Sequence, residues 1–581
     1  MNEAREAACG AVNIETMMAH VREFAKRIKH AGTPEELESF RYIRRCLQDY
    51  GWSAELIQHD AYISLPGHAC LKVAGRSIRT ITHSFSRNTP VEGLAADIVY
   101  AGNGSPAELA AAGAQGKIVL LERIANPGAA VNASRAGALG QIHISPDEHL
   151  HEMCVSPVWG SPSDETVQDL PNTVILSIAN ADGVALKDNL ARGERITATM
   201  HADVQTGWTQ IPLLTAELLP AEAADDTPFV LFSGHHDTWH YGVMDNGTAN
   251  ATMLEVARLF AGYRSHLARG LRICFWSGHS QGRYAGSAWY ADTHWHELAK
   301  RCMAHVNVDS TGGRGNTILE DAISSAELFG LAAGAVARQG QQTMRGQRMA
   351  RAGDQSFWGI GIPSVFMGMG EQPIGAANVM GALQGESNRT SSGFGWWWHT
   401  PGDTIDKIDP DLLVRDTRVY VDAIWGLITD RIVPVDYTRY FDVLSSELAM
   451  LRDALGNRLD LEPLDAMARM LRKRAEGILV ARRRPVPEAA AKAVNAAIMA
   501  LQRCLVPMDY TEGDRFRHDP ALTQTAYPVL DPIRRLAAAD GEALKFTIVA
   551  ARRALNRLTH ALENASQQLS IIEDILVNSR A

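Results

Sequence analysis

Four side chains able to hold a divalent cation stand at or just past the ends of apolar runs: His235, Asp245, Asp309 and His399. The first ends the run Phe229-Val230-Leu231-Phe232-Ser233-Gly234, which is short, apolar and preceded by Pro228, and so reads as a buried strand. Asp237 follows two positions later, and a glycine loop, Gly242-Val243-Met244, delivers Asp245. Asp309 succeeds Ala304-His305-Val306-Asn307-Val308, and His399 closes a long loop rich in Gly, Ser and Trp. Imidazole nitrogen with carboxylate oxygen suits a borderline metal such as zinc, and a shared carboxylate could bridge two ions. A lone His-x-Asp is more often a hydrogen-bonded surface pair. The ordered set is the signal, because open α/β sheets bind ligands beyond the carboxyl ends of their strands.

The elements that must position these residues alternate in type. Thr33-Pro34-Glu35-Glu36 is a capping box with proline at the first helical position, predicting a helix to about Tyr50, with a strand over Trp52 to Ile57. Helical character over 250–260 and 325–338 separates strands at 229–234, 271–276, 304–308 and 361–367. Strands alternating with helices imply a largely parallel sheet. Between about 91 and 204 strand-like pieces recur at 97–100, 117–121, 141–144 and 173–176. With no cluster of ligand type, this stretch reads as a β-rich insert without chemistry, its His143, His149 and His151 ordinary surface or loop histidines. Past Pro434 the pattern turns helical, near 436–457, 463–481, 486–505 and 530–577. Leu555, Leu558, Leu562, Leu569, Ile572 and Leu576 form an apolar stripe there, as core or interface. The expected fold is α/β: a mixed, mostly parallel sheet flanked by helices over 1–90 and 205–433, an insert over 91–204, and a helical bundle over 434–581.

Composition narrows the classes. The 581 residues are 46% hydrophobic, as in a globular chain, and a net charge of −10 argues against nucleic acid as partner. No uninterrupted apolar run reaches the length of a membrane span, and the first residues lack the apolar core of a secretory signal. Seven scattered cysteines read as reduced thiols, giving a cytoplasmic expectation.

Taken together, the motifs resemble the co-catalytic zinc aminopeptidase family that includes bacterial leucyl aminopeptidases, glutamate carboxypeptidase II and the transferrin receptor ectodomain. They are Gly234-His235-x-Asp237, Gly242-x-x-Asp245-Asn246, Asn307-x-Asp309-Ser310, Gly353-Asp354-Gln355-Ser356-Phe357 with Gly361-Ile362-Pro363, and His399-Thr400-x-x-Asp403-Thr404. The resemblance covers nearly the whole chain: the insert is similar to a protease-associated domain and the bundle to a dimerisation domain. It implies that His235 and Asp309 hold one metal, that Asp245 bridges, that His399 holds a second metal, and that Asp237 orients His235. It also implies one or two divalent ions, zinc first and manganese or iron as alternatives, a small peptide or amide substrate, and a homodimer.

One motif departs from the family. The strand after Asp245 should end in two glutamates, one a general base and one a ligand. Here it ends Trp276-Ser277-Gly278-His279-Ser280-Gln281-Gly282-Arg283-Tyr284. Anchoring on Trp276 puts His279 and Ser280 at the pair; anchoring on Gly286-Ser287 puts Ser280 and Gln281 there. Serine and glutamine cannot act as base, whereas histidine can act as base or bind metal. His279 is therefore the pivotal residue, as ligand, base or structural neighbour. Trp396-Trp397-Trp398 could wall a substrate pocket or pack under their loop, and Arg283 and Arg389 are candidate carboxylate clamps. The leading expectation is a metal-dependent hydrolase of amide or peptide bonds, aminopeptidase- or carboxypeptidase-like. The alternatives are a non-catalytic receptor-like binding or scaffold protein and a repurposed metal enzyme.

Overall fold

The computed structural model describes residues 2–375, 391–482 and 485–579. A two-stranded ribbon dominates it. Strand β1 (Ser53–Val73) pairs antiparallel with the much later β6 (Thr197–Leu218), from Ser53 opposite Glu217 to Val73 opposite Ala198. A register shift between Pro66 and Ala69 interrupts it. The sequence reading located only the first few residues of β1. Its later part carries Pro66, Gly67 and His68, which break the alternation expected of a half-buried strand.

Between the ribbon's two arms lie β2 (Leu94–Tyr100), β3 (Ile118–Leu121), β4 (Gly140–Ile144) and β5 (Val174–Ile178). They form a parallel run with its own core of Ile118, Leu120, Ile142, Leu176 and Met200. Strand β2 pairs with the lower half of β6, while the upper half of β6 pairs with β8 of the larger sheet. The division placed at 204/205 thus falls inside β6, and a continuous ribbon, not a linker, joins the insert to the α/β unit.

In the larger sheet β7 (Phe229–His235), β8 (Gly270–Trp276) and β9 (Cys302–Asn307) are buried along their whole length. Both faces are covered by helices, which is why the three runs are apolar without alternation. They are parallel and in near register: Trp276 lies beside His235, and Asn307 beside Ser233. Their carboxyl ends therefore open at one level, where the next residues of each strand meet. Of the expected strand at 361–367 only β10 (Ser364–Val365) forms, parallel to β9. The expected helix at 325–338 is a 3-10 turn, the helix Phe329–Ala335 and a π turn to Gly340.

Thr33 caps the helix Pro34–Asp49, its side chain accepting from the Glu36 N–H, but the expected box is not closed: the Glu36 carboxylate accepts from the Gly32 N–H at 2.7 Å instead of from Thr33. The C-terminal helices are Tyr437–Leu455, Glu462–Arg482, Glu488–Tyr510, Asp531–Ala538 and Ala543–Asn578. The single helix expected over 530–577 is thus two, broken near Gly541 at φ +51°. Leu558, Leu562, Leu569, Ile572 and Leu576 are buried inside this chain's own bundle. Glu488–Tyr510 is long and apolar enough to cross a membrane, and half of its apolar stretch is buried within the protein. All seven cysteines are free.

Candidate metal centre

Nε2 of His235 lies 3.1 Å from Oδ1 of Asp245 and 3.5 Å from Oδ2 of Asp309. Nε2 of His399 lies 3.1 Å from Oδ2 of the same Asp245. The Asp245 carboxylate therefore spans two imidazoles, one oxygen to each. The four residues predicted from strand ends are brought to one place. His279 joins them: its ligand atom and those of His235 and Asp309 lie within 4.8 Å of one another, and its ring stacks on that of His235 at 3.8 Å.

Tautomers show what the arrangement can hold. The Nδ1–H of His235 donates to the Asp237 carbonyl (2.9 Å), and that of His399 to the Glu152 carbonyl (2.7 Å). A carbonyl only accepts, so both rings carry their proton on Nδ1 and turn an Nε2 lone pair toward carboxylate oxygen. Two acceptors face each other stably only around a proton or a cation. Burial opposes the charged form of His235, yet Asp309 and Asp245 outweigh it and hold its pKa well above the usual imidazole range. Burial likewise opposes ionisation of Asp245, but the two histidines hold its carboxyl far below the ordinary range. A divalent metal meets the same need as the extra proton, and the imidazole and carboxylate donors suit it.

The loop after β8 decides between the two ways of placing the family's acid pair. His279 faces the cluster, while Gln281 turns away, its side chain donating to the Thr238 carbonyl and accepting from the Ala31 N–H. The frame anchored on Trp276 is the one that puts the cluster-facing residue, His279, at the pair.

Asp237 meets His235 through its backbone rather than its carboxylate. Its carboxylate is 3.8 Å from Nδ1 of His235, and its carbonyl makes the orienting hydrogen bond. The carboxylate instead accepts from the N–H groups of His279 (3.1 Å) and Ser280 (2.8 Å), so it holds the β8 loop against the end of β7. Asp403 plays a matching part across the site. It accepts from the N–H groups of Met244 and Asp245, and burial, with the Asp245 charge nearby, pushes its carboxyl up to about 7.

Two contributions escaped the sequence reading. Asp354, quoted in a motif but given no role, places Oδ2 2.6 Å from Nδ1 of His279. Burial resists its ionisation, but His279 prevails and its carboxyl lies below the ordinary range. Secondly, the insert is not without chemistry. Glu152 accepts from His399 and returns its own N–H to the His399 carbonyl at 3.0 Å. His151 is buried and bonds the Trp398 carbonyl at 2.6 Å, and His149 stacks on Trp396 at 4.1 Å. His143 is also buried, in the insert's interior, so only His149 fits the surface expectation. Burial lifts the Glu152 carboxyl to about 7. Of the two readings of the tryptophans, the contacts fit packing: Trp397 donates to Met244 Sδ (3.2 Å), and Trp398 stacks on His399 at 3.6 Å. Arg283 is half-buried, with its guanidinium 5.0 Å from the Tyr284 ring; Arg389 lies outside the described residues.

Parallel strands delivering histidine and carboxylate ligands to one rim define a metallopeptidase class of site, and comparison agrees. Residues 215–424 match the model of peptidase family M28, and the chain is a metal-dependent peptide hydrolase in class. It is 22% identical over 547 residues to the probable glutamate carboxypeptidase AMP1 of Arabidopsis thaliana, an alignment covering 77% of this chain and 72% of that protein. The aminopeptidase of Aneurinibacillus sp. strain AM-1 is 22% identical, with a TM-score of 0.54 over 73% of this chain and 95% of that one. The zinc aminopeptidase BSAP of Bacillus subtilis is 20% identical, with a TM-score of 0.53 over 73% and 98%. The α/β fold is thus shared with both structures.

Proposed function

We propose that the chain hydrolyses small peptides or amides with zinc, one or two ions held by His235, Asp245, Asp309 and His399. The observation that carries this is the Asp245 carboxylate between two Nε2 lone pairs. When bound, the metal polarises the substrate carbonyl and activates water. His279 is the only histidine or acid between Ser277 and Gln281. With Nδ1 committed to Asp354, it presents Nε2 to the cluster, and there it accepts the proton of the attacking water as general base. Asp237 and Asp403 hold the loops that carry these groups. The insert and bundle, similar to protease-associated and dimerisation domains, complete the proposal, with two chains as the working unit.

The test is zinc loading of chelator-stripped protein, followed by assay on unblocked and N-acylated dipeptides. Zinc-dependent release of amino acid supports the reading. Stoichiometric zinc with no turnover on either substrate class overturns it in favour of the second reading, a metal-holding binding protein. That reading is favoured by one observation, the absence of any carboxylate from 277 to 281.

A further inference from the structure

We infer that Trp159 of the insert is a positioning residue for His279, acting through a buried chain of hydrogen bonds that crosses from the insert to the site. The inference rests on the proposed role of His279. Trp159 Nε1 lies 2.8 Å from Ser356 Oγ, and Ser356 Oγ lies 2.9 Å from Ser287 Oγ. Ser287 Oγ lies 2.7 Å from Oδ1 of Asp354, whose Oδ2 lies 2.6 Å from Nδ1 of His279.

The direction of every bond follows from chemistry. An indole N–H only donates, so Ser356 accepts it and has its hydroxyl proton free for Ser287. Ser287 has two acceptors in reach, the Tyr284 carbonyl at 3.2 Å and the Asp354 carboxylate at 2.7 Å, and gives its proton to the nearer and charged one. Asp354 then has its other oxygen for the Nδ1–H of His279. The proton of His279 is thereby fixed on Nδ1 and the lone pair on Nε2, in a ring whose ligand atom lies within 4.8 Å of those of His235 and Asp309. Trp159, Ser287, Asp354 and Ser356 are each at most 4% exposed. Such burial shields these groups from bulk solvent, and hydrogen bonds chained in a low-dielectric interior reinforce one another.

Trp159 is itself held tightly. Its ring packs on Tyr284 at 4.3 Å and lies 4.5 Å from the Arg351 guanidinium, and the next residue, Gly160, donates its N–H to the Arg283 carbonyl at 2.7 Å. Tyr284 in turn meets the His279 ring edge-on at 4.9 Å. The strap from His151 to Gly160 therefore touches the site at both ends, His399 at one and the His279 system at the other. Its correct seating orients a reacting group more than a hundred residues further along the chain.

The first variant is Trp159→Phe, which keeps an aromatic ring beside Tyr284 and Arg351 and removes the N–H together with part of the indole. Ser356→Ala breaks the same chain one link nearer and leaves the tryptophan untouched. The first readout needs neither metal nor activity. In metal-free protein the short His279–Asp354 bond gives a downfield, slowly exchanging Nδ1–H proton resonance, assigned by its loss in His279→Asn. Trp159→Phe and Ser356→Ala should both move that resonance upfield and speed its exchange, and Asp354→Asn should abolish it. The second readout is kinetic, in zinc-loaded enzyme. Both variants should lower kcat by roughly 10-fold, in line with the loss of an outer partner, with KM hardly changed. Neither should add to the loss in Asp354→Asn. An unchanged resonance and kcat in both variants would overturn the inference, as would losses additive with Asp354→Asn. If instead His279→Ala retains full activity, the base reading of His279 falls, while the resonance still reports whether the chain operates.

Discussion

His399 and Glu152 are tied by two backbone-level hydrogen bonds, His399 Nδ1–H to the Glu152 carbonyl and Glu152 N–H to the His399 carbonyl. The insert therefore sets the tautomer and pose of a ligand carried by the α/β unit. Because the tie uses Glu152's main chain, its side chain should be dispensable for metal affinity. Glu152→Ala is expected to bind zinc nearly as the parent does in competition with a chromogenic chelator. Glu152→Pro, which lacks the N–H, is expected to weaken it by roughly 10–100-fold, the usual cost of an outer-shell loss. Equal affinities in the two variants, both folded by circular dichroism, would show that the tie does not orient the ligand.

His279 carries the next expectation. As general base, its replacement by alanine should lower kcat by roughly 10²–10⁴-fold, with the fold retained. The substitution leaves His235, Asp245, Asp309 and His399 in place, so at least one zinc should remain on elemental analysis. A variant that loses turnover only in proportion to lost folded protein would assign His279 to packing against His235.

The site was legible where strand ends carry ligands. His235, Asp245 and Asp309 follow buried apolar runs or their first loop, and parallel register brings such ends to one level whatever the loops do. His279 could be named because it is the one titratable group where acids were expected. Asp354 and Glu152 could not. Neither sits at a strand end, and each reaches the site through tertiary folding from a loop and from an insert. The reversal at Asp237, carbonyl to its own strand's histidine and carboxylate to the neighbouring loop, depends on side-chain direction, which a two-residue spacing does not encode. In the ribbon, Pro66 and Gly67 hid a strand that pairing with β6 enforces across the register shift.

Association is the third expectation, and the apolar stripe at Leu558–Leu576 no longer motivates it, because those side chains are spent inside the bundle. A homodimer would have to use outward residues of the same long helix, such as Phe546, 72% exposed, and Val549, 49% exposed. Sedimentation at micromolar concentration should show a dimer that Phe546→Glu weakens. A parent chain that sediments as a monomer would remove the dimer from the proposed function.

Glu327 makes stability depend on pH independently of the metal site. Its carboxyl is fully buried beside Asp509, and burial first, then the Asp509 charge, lifts its pKa from 4.5 to about 8, with Arg348 and Ser325 offsetting only part. An acid whose folded pKa is raised binds its proton more firmly in the folded state. Over the window from about 4.5 to about 8 the unfolded chain holds fewer protons at this group, so stability falls as pH rises and levels off above it. At about 1.4 kcal/mol per pKa unit, the cost by pH 8 is on the order of a few kcal/mol. Glu327→Gln fills the same volume without ionising, so this part of its stability should be flat. The urea midpoint of the variant should exceed the parent's at pH 8 by clearly more than at pH 5. A difference equal at both pH values would mean that Glu327 does not titrate in this range.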